Sequence, residues 1–198
     1  LTIKHLPMEG YALPRTLEIR IYENLPFAVL GFSVTNPNNY TVRIREAILL
    51  NKAILFPKEK IEKPQVLRGG AGAEPNFVEQ TMDIKAYNSV MLTAKVGNNR
   101  FTIVAGGLKY KEFLRQVTLS SKDQSLTISV EDPQGKNILP NQTYHAADDV
   151  FLDFVTIDPF KSLENYGLTM RKANDAKPNM YDFPTLCGWL VSQPEYGD

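Results

Sequence analysis

Alternation of apolar and polar residues with a period of two is the feature that most constrains this chain. The stretch RTLEIRIY, residues 15–22, places Leu17, Ile19 and Ile21 on one side, and SLTISVED, residues 125–132, repeats the pattern. Because successive side chains of a strand point to opposite faces of a sheet, both stretches are predicted to be half-buried strands. The chain is therefore expected to be built mainly from strands.

Other segments of similar character extend this prediction, and strands are expected at residues 27–34, 41–50, 89–96, 100–105, 115–120 and 149–157. Turn-forming residues separate them in TNPNNY, VGNNR, SSKDQS and DPQGKN, where the chain is expected to reverse. VGNNR and SSKDQS are short enough for hairpins. Residues 57–74, PKEKIEKPQVLRGGAGAE, break the pattern and are expected to form a mobile surface loop. The sequence thus predicts a mainly β fold, a large antiparallel two-sheet sandwich.

The period changes near the C-terminus, in DPFKSLENYGLTMRKAND. Asp158 is suited to cap a helix, Pro159 to occupy its first position, and Asn174 to end it. Apolar residues recur every three or four positions, at Phe160, Leu163, Tyr166, Met170 and Ala173. One amphipathic helix is predicted here.

The final segment, YDFPTLCGWLVSQPEYGD, is apolar on both faces from Phe183 to Val191. A strand of this kind after a helix is typical of a parallel sheet that is covered by helices. The neighbours that such a strand would need are not found elsewhere in the sequence. A trailing strand that belongs to a second domain is therefore expected.

Composition excludes several function classes. Lys plus Arg equals Asp plus Glu at 22 each, with no basic run, so nucleic acid is not expected as a partner. No stretch of about 18 apolar residues is present, so no membrane-spanning helix is expected, and the opening LTIKHLPMEG lacks the features of a signal peptide. The single cysteine, Cys187, excludes an internal disulfide and argues against a structural zinc site. No cofactor or metal is predicted.

A family resemblance rests on three stretches of the sequence, VAGGLKYKEF, LDFVTIDPFKSLENYGLTMRKAN and YDFPTLCGW. They resemble the N-terminal part of glycoside hydrolases of the α-galactosidase and raffinose-synthase group, that is, family 36 and its relatives in clan D. The resemblance is especially to the large forms of gut Bacteroidetes. The resemblance implies a galactose-mutarotase-like sandwich at residues 1–157, a connector helix and linker at 158–180, and the first strand of a truncated (β/α)8 barrel at 181–198. It also implies a periplasmic or extracellular location.

The same resemblance implies that this chain is the non-catalytic part of a longer enzyme that hydrolyses or transfers α-galactosyl units. The family's two catalytic Asp residues lie on later barrel strands, so this chain alone is expected to be inactive, with no catalytic residue of its own. Its implied partner is the C-terminal (β/α)8 catalytic domain of the same polypeptide, which the sandwich would brace and whose sugar site a loop of the sandwich would help to shape. Its oligomeric state is left open.

Aromatic residues are the candidates for contact with carbohydrate. Trp189 could stack on a sugar ring, although a Trp within an apolar strand is more often part of a core. Tyr110 and Tyr144, with Phe113, are candidates for a carbohydrate-binding platform. The paired glycines Gly106 and Gly107 lack the Lys-Ser/Thr ending of a nucleotide loop, so a bulge or a tight strand exit is predicted there.

The acidic cluster Asp148, Asp149, Asp153 and Asp158 is expected to be structural, with solvent-facing strand positions and a helix cap. Asp149 and Asp153 would lie about 13 Å apart along a strand, too far to flank one glycosidic bond. Three alternatives stay open: a carbohydrate-binding module with its own affinity, a domain that assembles through its sheet edge, and an independent mutarotase-like enzyme. The last would require a cleft that joins a His to a Glu, and the pattern shows none.

Overall fold

The structure, a computed structural model, describes residues 2–5, 13–55, 61–70 and 77–177. Strands account for nearly all of its regular structure. They are β1 Thr2–His5, β2 Arg15–Ile21, β3 Phe27–Thr35, β4 Val42–Ile54, β5 Ile61–Gly69, β6 Val78–Glu79, β7 Ile84–Ala86, β8 Ser89–Val96, β9 Asn99–Gly107, β10 Leu114–Leu119, β11 Ser125–Ile138, β12 Thr143–His145 and β13 Val150–Asp153, followed by the helix α1 Pro159–Ala173. The predicted trailing strand, with Cys187 and Trp189, lies outside the described residues.

The strands form two antiparallel sheets. The large sheet has the order β1-β2-β3-β13-β9-β8-β5-β6, with β12 also paired to β3, and the small sheet has the order β4-β11-β10-β7. Alternate residues of both sheets meet in one core, where Leu30 and Phe32 of β3 join Ile128 and Val130 of β11. The predicted two-sheet sandwich is confirmed, and so are the hairpins β8–β9 and β10–β11.

Helix α1 forms a third layer on the outer face of the large sheet. Asp158 caps it, Pro159 begins it and Asn174 ends it, as predicted. Tyr166 is buried against Val104 and Phe151, and Leu163 and Met170 pack on the same cluster. Within the described ranges, no helix has the length and apolar character needed to cross a membrane.

Two glycines at the end of β9 make room for this helix. A Cβ on Gly106 would lie 2.7 Å from the Tyr166 ring and from the Ser89 side chain. The Tyr166 hydroxyl donates a hydrogen bond to the Gly107 carbonyl at 2.8 Å, and burial raises the pKa of Tyr166. The glycine pair therefore lies at the end of β9, still paired with β13, and lets an aromatic ring lie directly on the backbone.

Phe160 departs from the helical pattern. Its side chain is 69% exposed, and Ser162 is buried in this turn, where its hydroxyl donates to Asp153 Oδ2 at 2.8 Å. The apolar period predicted an inward Phe160, but the buried carboxylate of Asp153 takes a small hydroxyl partner instead. Phe160 meets Phe77 edge-on, with ring centroids 6.2 Å apart.

Two loop predictions were wrong. Residues 61–69, expected to be a mobile loop, form β5, which pairs with β8 and buries Ile61 and Val66. A positive φ at Lys63 and a register shift interrupt the strand and disguise its alternation. DPQGKN does not reverse the chain, because β11 continues through it with a register shift between Glu131 and Lys136. Gly135, at φ 75°, accommodates that irregularity.

Loss of the cap should weaken α1. Asp158 Oδ1 accepts hydrogen bonds from the backbone N–H groups of Phe160 and Lys161 at 2.9 and 3.3 Å. We expect Asp158→Ala to lower the free energy of unfolding by about 1 kcal/mol, measured by urea denaturation. Asp158→Ser retains a capping oxygen and should stay close to the native chain. Equal losses in both variants would contradict a capping role.

Candidate ligand site on the large sheet

The outer face of the large sheet has two parts. Helix α1 covers the part formed by β8, β9 and β13. Over β2 and β3 lies a depression of about 410 Å³, which we call the β2–β3 depression. Its polar lining consists of Thr2, Thr16, Glu18, Arg20, Ser33, His145 and Asp149, with Gly31, Phe32, Ala146 and Ala147 completing the wall.

Strand alternation and pairing bring these residues together. Glu18 and Arg20 occupy the polar positions of β2, opposite to buried Leu17. Gly31 is the β3 partner of Glu18. Strands β12 and β13 both pair with β3, so His145 lies opposite Ser33, and Asp149 directly precedes Val150, the partner of Leu30. The depression is therefore assembled from β1, β2, β3, β12 and the residues between β12 and β13.

An ion pair lies at its centre. Arg20 Nη2 is 2.5 Å from Asp149 Oδ1, and Arg20 Nε is 4.0 Å from Glu18 Oε2. The Arg20 and Asp149 side chains are 35% and 25% exposed, so ligand groups can reach them from solvent. Arg20 Nε has no hydrogen-bond partner in the described part of the chain. A half-exposed pair of this kind contributes little to stability, about 0–1 kcal/mol.

Gly31 forms the floor beneath this pair. A Cβ at this position would lie 3.1 Å from both Arg20 Nη2 and Asp149 Oδ1, and 3.7 Å from Glu18 Oε2. A side chain on β3 here would occupy the space in which the three charged groups meet. The absence of a side chain at Gly31 thus lets Arg20 and Asp149 meet directly over the strand backbone.

Asp148, the neighbour of Asp149, points the other way and is completely buried. Its carboxylate accepts hydrogen bonds from the backbone N–H groups of Lys111, Glu112 and Phe113 at 3.0, 2.8 and 2.9 Å. Asp148 Oδ2 also lies 3.6 Å from Nη2 of the buried Arg115. The carboxylate ties the loop after β9 to the start of β13, and this fixes the backbone that presents Asp149.

The Arg115 side chain is fully buried. It donates to the Phe113 carbonyl at 3.2 Å and to the Lys109 carbonyl at 3.4 Å. Burial lowers the pKa of the Arg115 guanidinium, while the charge of Asp148 opposes that shift. The pair is therefore a structural centre with no face open to a ligand.

The expectation that the acidic cluster faces solvent was wrong for two of its members. Asp148 and Asp153 are fully buried. Asp153 Oδ1 accepts from the N–H groups of Val155 and Thr156, both at 3.0 Å, and its Oδ2 accepts from the Ser162 hydroxyl. The expected helix cap at Asp158 is confirmed. The burial of Asp148 has a non-local cause, since its backbone donors come from a loop more than 30 residues away.

The aromatic candidates lie around the Arg115 centre. The Tyr110 hydroxyl donates to the Asn88 carbonyl at 3.1 Å, and its ring centroid is 5.9 Å from the Arg115 guanidinium. The Tyr144 hydroxyl donates to the Glu112 carboxylate, and its ring meets Phe113 edge-on at 6.2 Å. Burial raises the pKa of both tyrosines. A role of Tyr110 and Tyr144 in carbohydrate contact stays a prediction, as does that of Trp189, which lies outside the described residues.

The structure also juxtaposes residues that sequence reasoning kept apart. Glu18 and His145 line the same depression, although they lie more than 120 positions apart in the chain. The alternation of β2 could have placed Glu18 on the open face. Nothing local in the sequence indicates that β12 pairs with β3 and brings His145 alongside.

A larger cavity, of about 1010 Å³, opens between the two sheets along β4. Core side chains such as Leu17, Phe32 and Val34 line it, with Arg43 and Arg45 exposed on β4. It is an incompletely filled edge of the sandwich, without the ion-paired centre found in the β2–β3 depression.

Exposed apolar side chains cluster where the chain passes from β13 into α1. We call this cluster the connector patch, and its members are Phe77 at 36% exposure, Phe154 at 54%, Val155 at 61%, Ile157 at 64% and Phe160 at 69%. A hydrogen bond of 2.7 Å from Thr102 Oγ1 to the Ile157 carbonyl anchors the segment to β9. Within the patch, the rings of Phe77 and Phe160 contact each other, and large exposed apolar patches on proteins are often interaction sites.

No protein-family model matches this sequence, and no curated protein sequence matches it. Similar solved structures include an α-galactosidase from Lactobacillus brevis, with a TM-score of 0.52 and 13% identity over 81% of this chain and 23% of that chain. They also include a putative aldose 1-epimerase from Klebsiella pneumoniae subsp. pneumoniae MGH 78578, with a TM-score of 0.46 and 10% identity over 90% of this chain and 54% of that chain. The first likeness shows a shared fold, and this chain spans about a quarter of that α-galactosidase.

Proposed function

We propose that this chain is the non-catalytic sandwich region of a carbohydrate-active enzyme of the α-galactosidase type, where it braces a (β/α)8 catalytic domain. The fold shared with part of an α-galactosidase supports this proposal. So does the family resemblance of VAGGLKYKEF and of the segment that runs into α1. In this proposal the reactive carboxylates lie in the other domain, and the sandwich supplies support.

The connector patch is the observation that carries the proposal. Its apolar side chains lie at the point where the chain leaves the sandwich, beside a helix that is firmly attached to the large sheet. A domain that follows α1 would be within reach of the patch. Burial of Ile157 and Phe160 against that domain would remove their apolar surface from water.

Substitution on the patch tests this role. In a polypeptide that continues past Asp198, Ile157→Asp should lower the Tm of the catalytic domain and its rate of p-nitrophenyl α-galactoside hydrolysis. In the 198-residue chain the same change should alter the free energy of unfolding by no more than about 0.5 kcal/mol. Ile54→Asp is the matched control, because Ile54 is similarly exposed, at 59%, on the small sheet.

Two results would contradict the bracing role. One is a reading frame beyond Asp198 that encodes no (β/α)8 pattern of alternating strands and helices. The other is an equal effect of Ile157→Asp and Ile54→Asp in the longer polypeptide.

A second candidate is a carbohydrate-binding module with its own affinity. The observation that favours it is the β2–β3 depression, which collects hydrogen-bonding groups on an open sheet face. Binding to the 198-residue chain by itself distinguishes this candidate from pure support.

A further inference from the structure

We infer that the β2–β3 depression is a binding site for a small, neutral, polyhydroxylated molecule, held by hydrogen bonds with the Arg20–Asp149 pair and with Glu18, which meet over the backbone of Gly31. This inference rests on the second candidate function, a carbohydrate-binding module, and names its ligand class. It concerns a different surface from the connector patch, and it holds whether or not the chain braces a second domain.

The charged side chains that line the depression disfavour an ionic ligand. The depression contains two carboxylates, one guanidinium and the imidazole of His145, and Arg20 is already paired with Asp149 at 2.5 Å. An anion would meet the carboxylates of Glu18 and Asp149, while Arg20, the one permanent cation of the described lining, is already neutralised by its partner. Among the described residues, no three His, Cys, Asp or Glu side chains form a group that could hold a metal ion. A neutral ligand needs neither a free counter-charge nor such a group.

The hydroxyl groups of a ligand match the hydrogen-bond donors and acceptors that line the depression. A carboxylate only accepts hydrogen bonds and a guanidinium only donates them, so the paired Asp149 and Arg20 offer both functions side by side. Adjacent hydroxyls of a polyol can donate to the carboxylate and accept from the guanidinium. Thr16 and Ser33 extend the same pattern along the strands. Charged partners also make these bonds stronger than neutral ones.

The volume and the wall of the depression narrow the class of ligand further. The 410 Å³ volume lies within the range of about 300–1,000 Å³ that small-molecule sites occupy. Ala146 and Ala147 provide a short apolar wall against which C–H groups can lie. A molecule of monosaccharide size suits this space, with an expected Kd in the millimolar range, about 1–10 mM.

The test is an NMR titration of the 198-residue chain with D-galactose and D-glucose, followed through backbone amide shifts. We expect saturable shifts that centre on Glu18, Gly31 and Asp149. D-Galacturonate, which adds one negative charge, should bind about tenfold more weakly than D-galactose.

Two variants connect the binding to the depression. Gly31→Ala places a methyl group 3.1 Å from the ends of the Arg20 and Asp149 side chains, so it should displace this pair and weaken galactose binding about tenfold. Gly167→Ala is the matched control, because a Cβ there meets nothing within 4 Å, and it should bind as the native chain does. Arg20→Gln removes the guanidinium and should also weaken binding, which keeps the test valid if Gly31→Ala does not fold.

Several outcomes would overturn the inference. They are the absence of saturable shifts in the depression with either hexose, native affinity in both Gly31→Ala and Arg20→Gln, and tighter binding of galacturonate than of galactose. Each concerns the isolated chain, so failure here is distinct from failure of the bracing role, which the connector patch tests.

Discussion

Replacement of Asp148 by asparagine is expected to lower the free energy of unfolding by about 3–5 kcal/mol. The carboxylate is fully buried, accepts three backbone hydrogen bonds and lies beside the buried Arg115 guanidinium. An asparagine has the same shape but removes the counter-charge of Arg115 and turns an NH2 group toward backbone donors. The loss should be measured by urea denaturation.

Asp149→Asn provides the control for this prediction. The substitution is the same and the position is adjacent, but the Asp149 side chain is 25% exposed and its partner Arg20 is 35% exposed. Its cost should stay near 1 kcal/mol or below. If both variants lost the same stability, the buried pair would not be the centre that we describe. Combining Asp148→Asn with Arg115→Met should restore part of the loss, because the unpaired charge is then removed.

Phe151→Ala should have an effect of similar size, about 3–5 kcal/mol. Phe151 is fully buried between the large sheet and α1, with ring centroids 4.7 Å from Phe27 and 5.3 Å from Tyr166. The truncated side chain leaves a cavity directly under the helix. We therefore expect faster amide hydrogen exchange in α1, in addition to the lower free energy of unfolding.

Phe160→Ala is the matched control in the same layer. Phe160 is 69% exposed, so its removal from the 198-residue chain should change stability by no more than about 0.5 kcal/mol. Comparable losses in the two variants would mean that the helix does not pack as described.

The fold class could be predicted because its determinants are local. The alternation of Leu17 and Ile19 with charged residues specifies a half-buried strand, and Asp158 and Pro159 specify a helix start, wherever these segments lie in the molecule. Strand β5 could not be predicted, because the positive φ at Lys63 and the register shift beside it interrupt the alternation of buried and exposed residues. Its identity comes from pairing with β8, which is a non-local property.

The candidate site could be predicted only in part. Alternation places Glu18 and Arg20 on the open face of β2, but Gly31 lies in a continuous apolar run, FAVLGFSV, that gives no sign of a floor. Asp148 and Asp149 look equivalent in the sequence. One becomes a buried acceptor and the other a surface partner, since the backbone donors of residues 111–113 meet only the first.

The glycine pair at the end of β9 has a consequence for the way this unit could be joined to others. A side chain at Gly106 would lie 2.7 Å from the end of the Tyr166 ring and from the Ser89 side chain, so Tyr166, and α1 with it, would have to shift from its position on the sheet. The direction in which the chain departs is therefore encoded in an interior strand of the sheet rather than in the helix itself. A fusion protein that preserves Gly106, Gly107 and Tyr166 should therefore hold the attached domain on the same side of the sandwich, whatever the sequence of that domain.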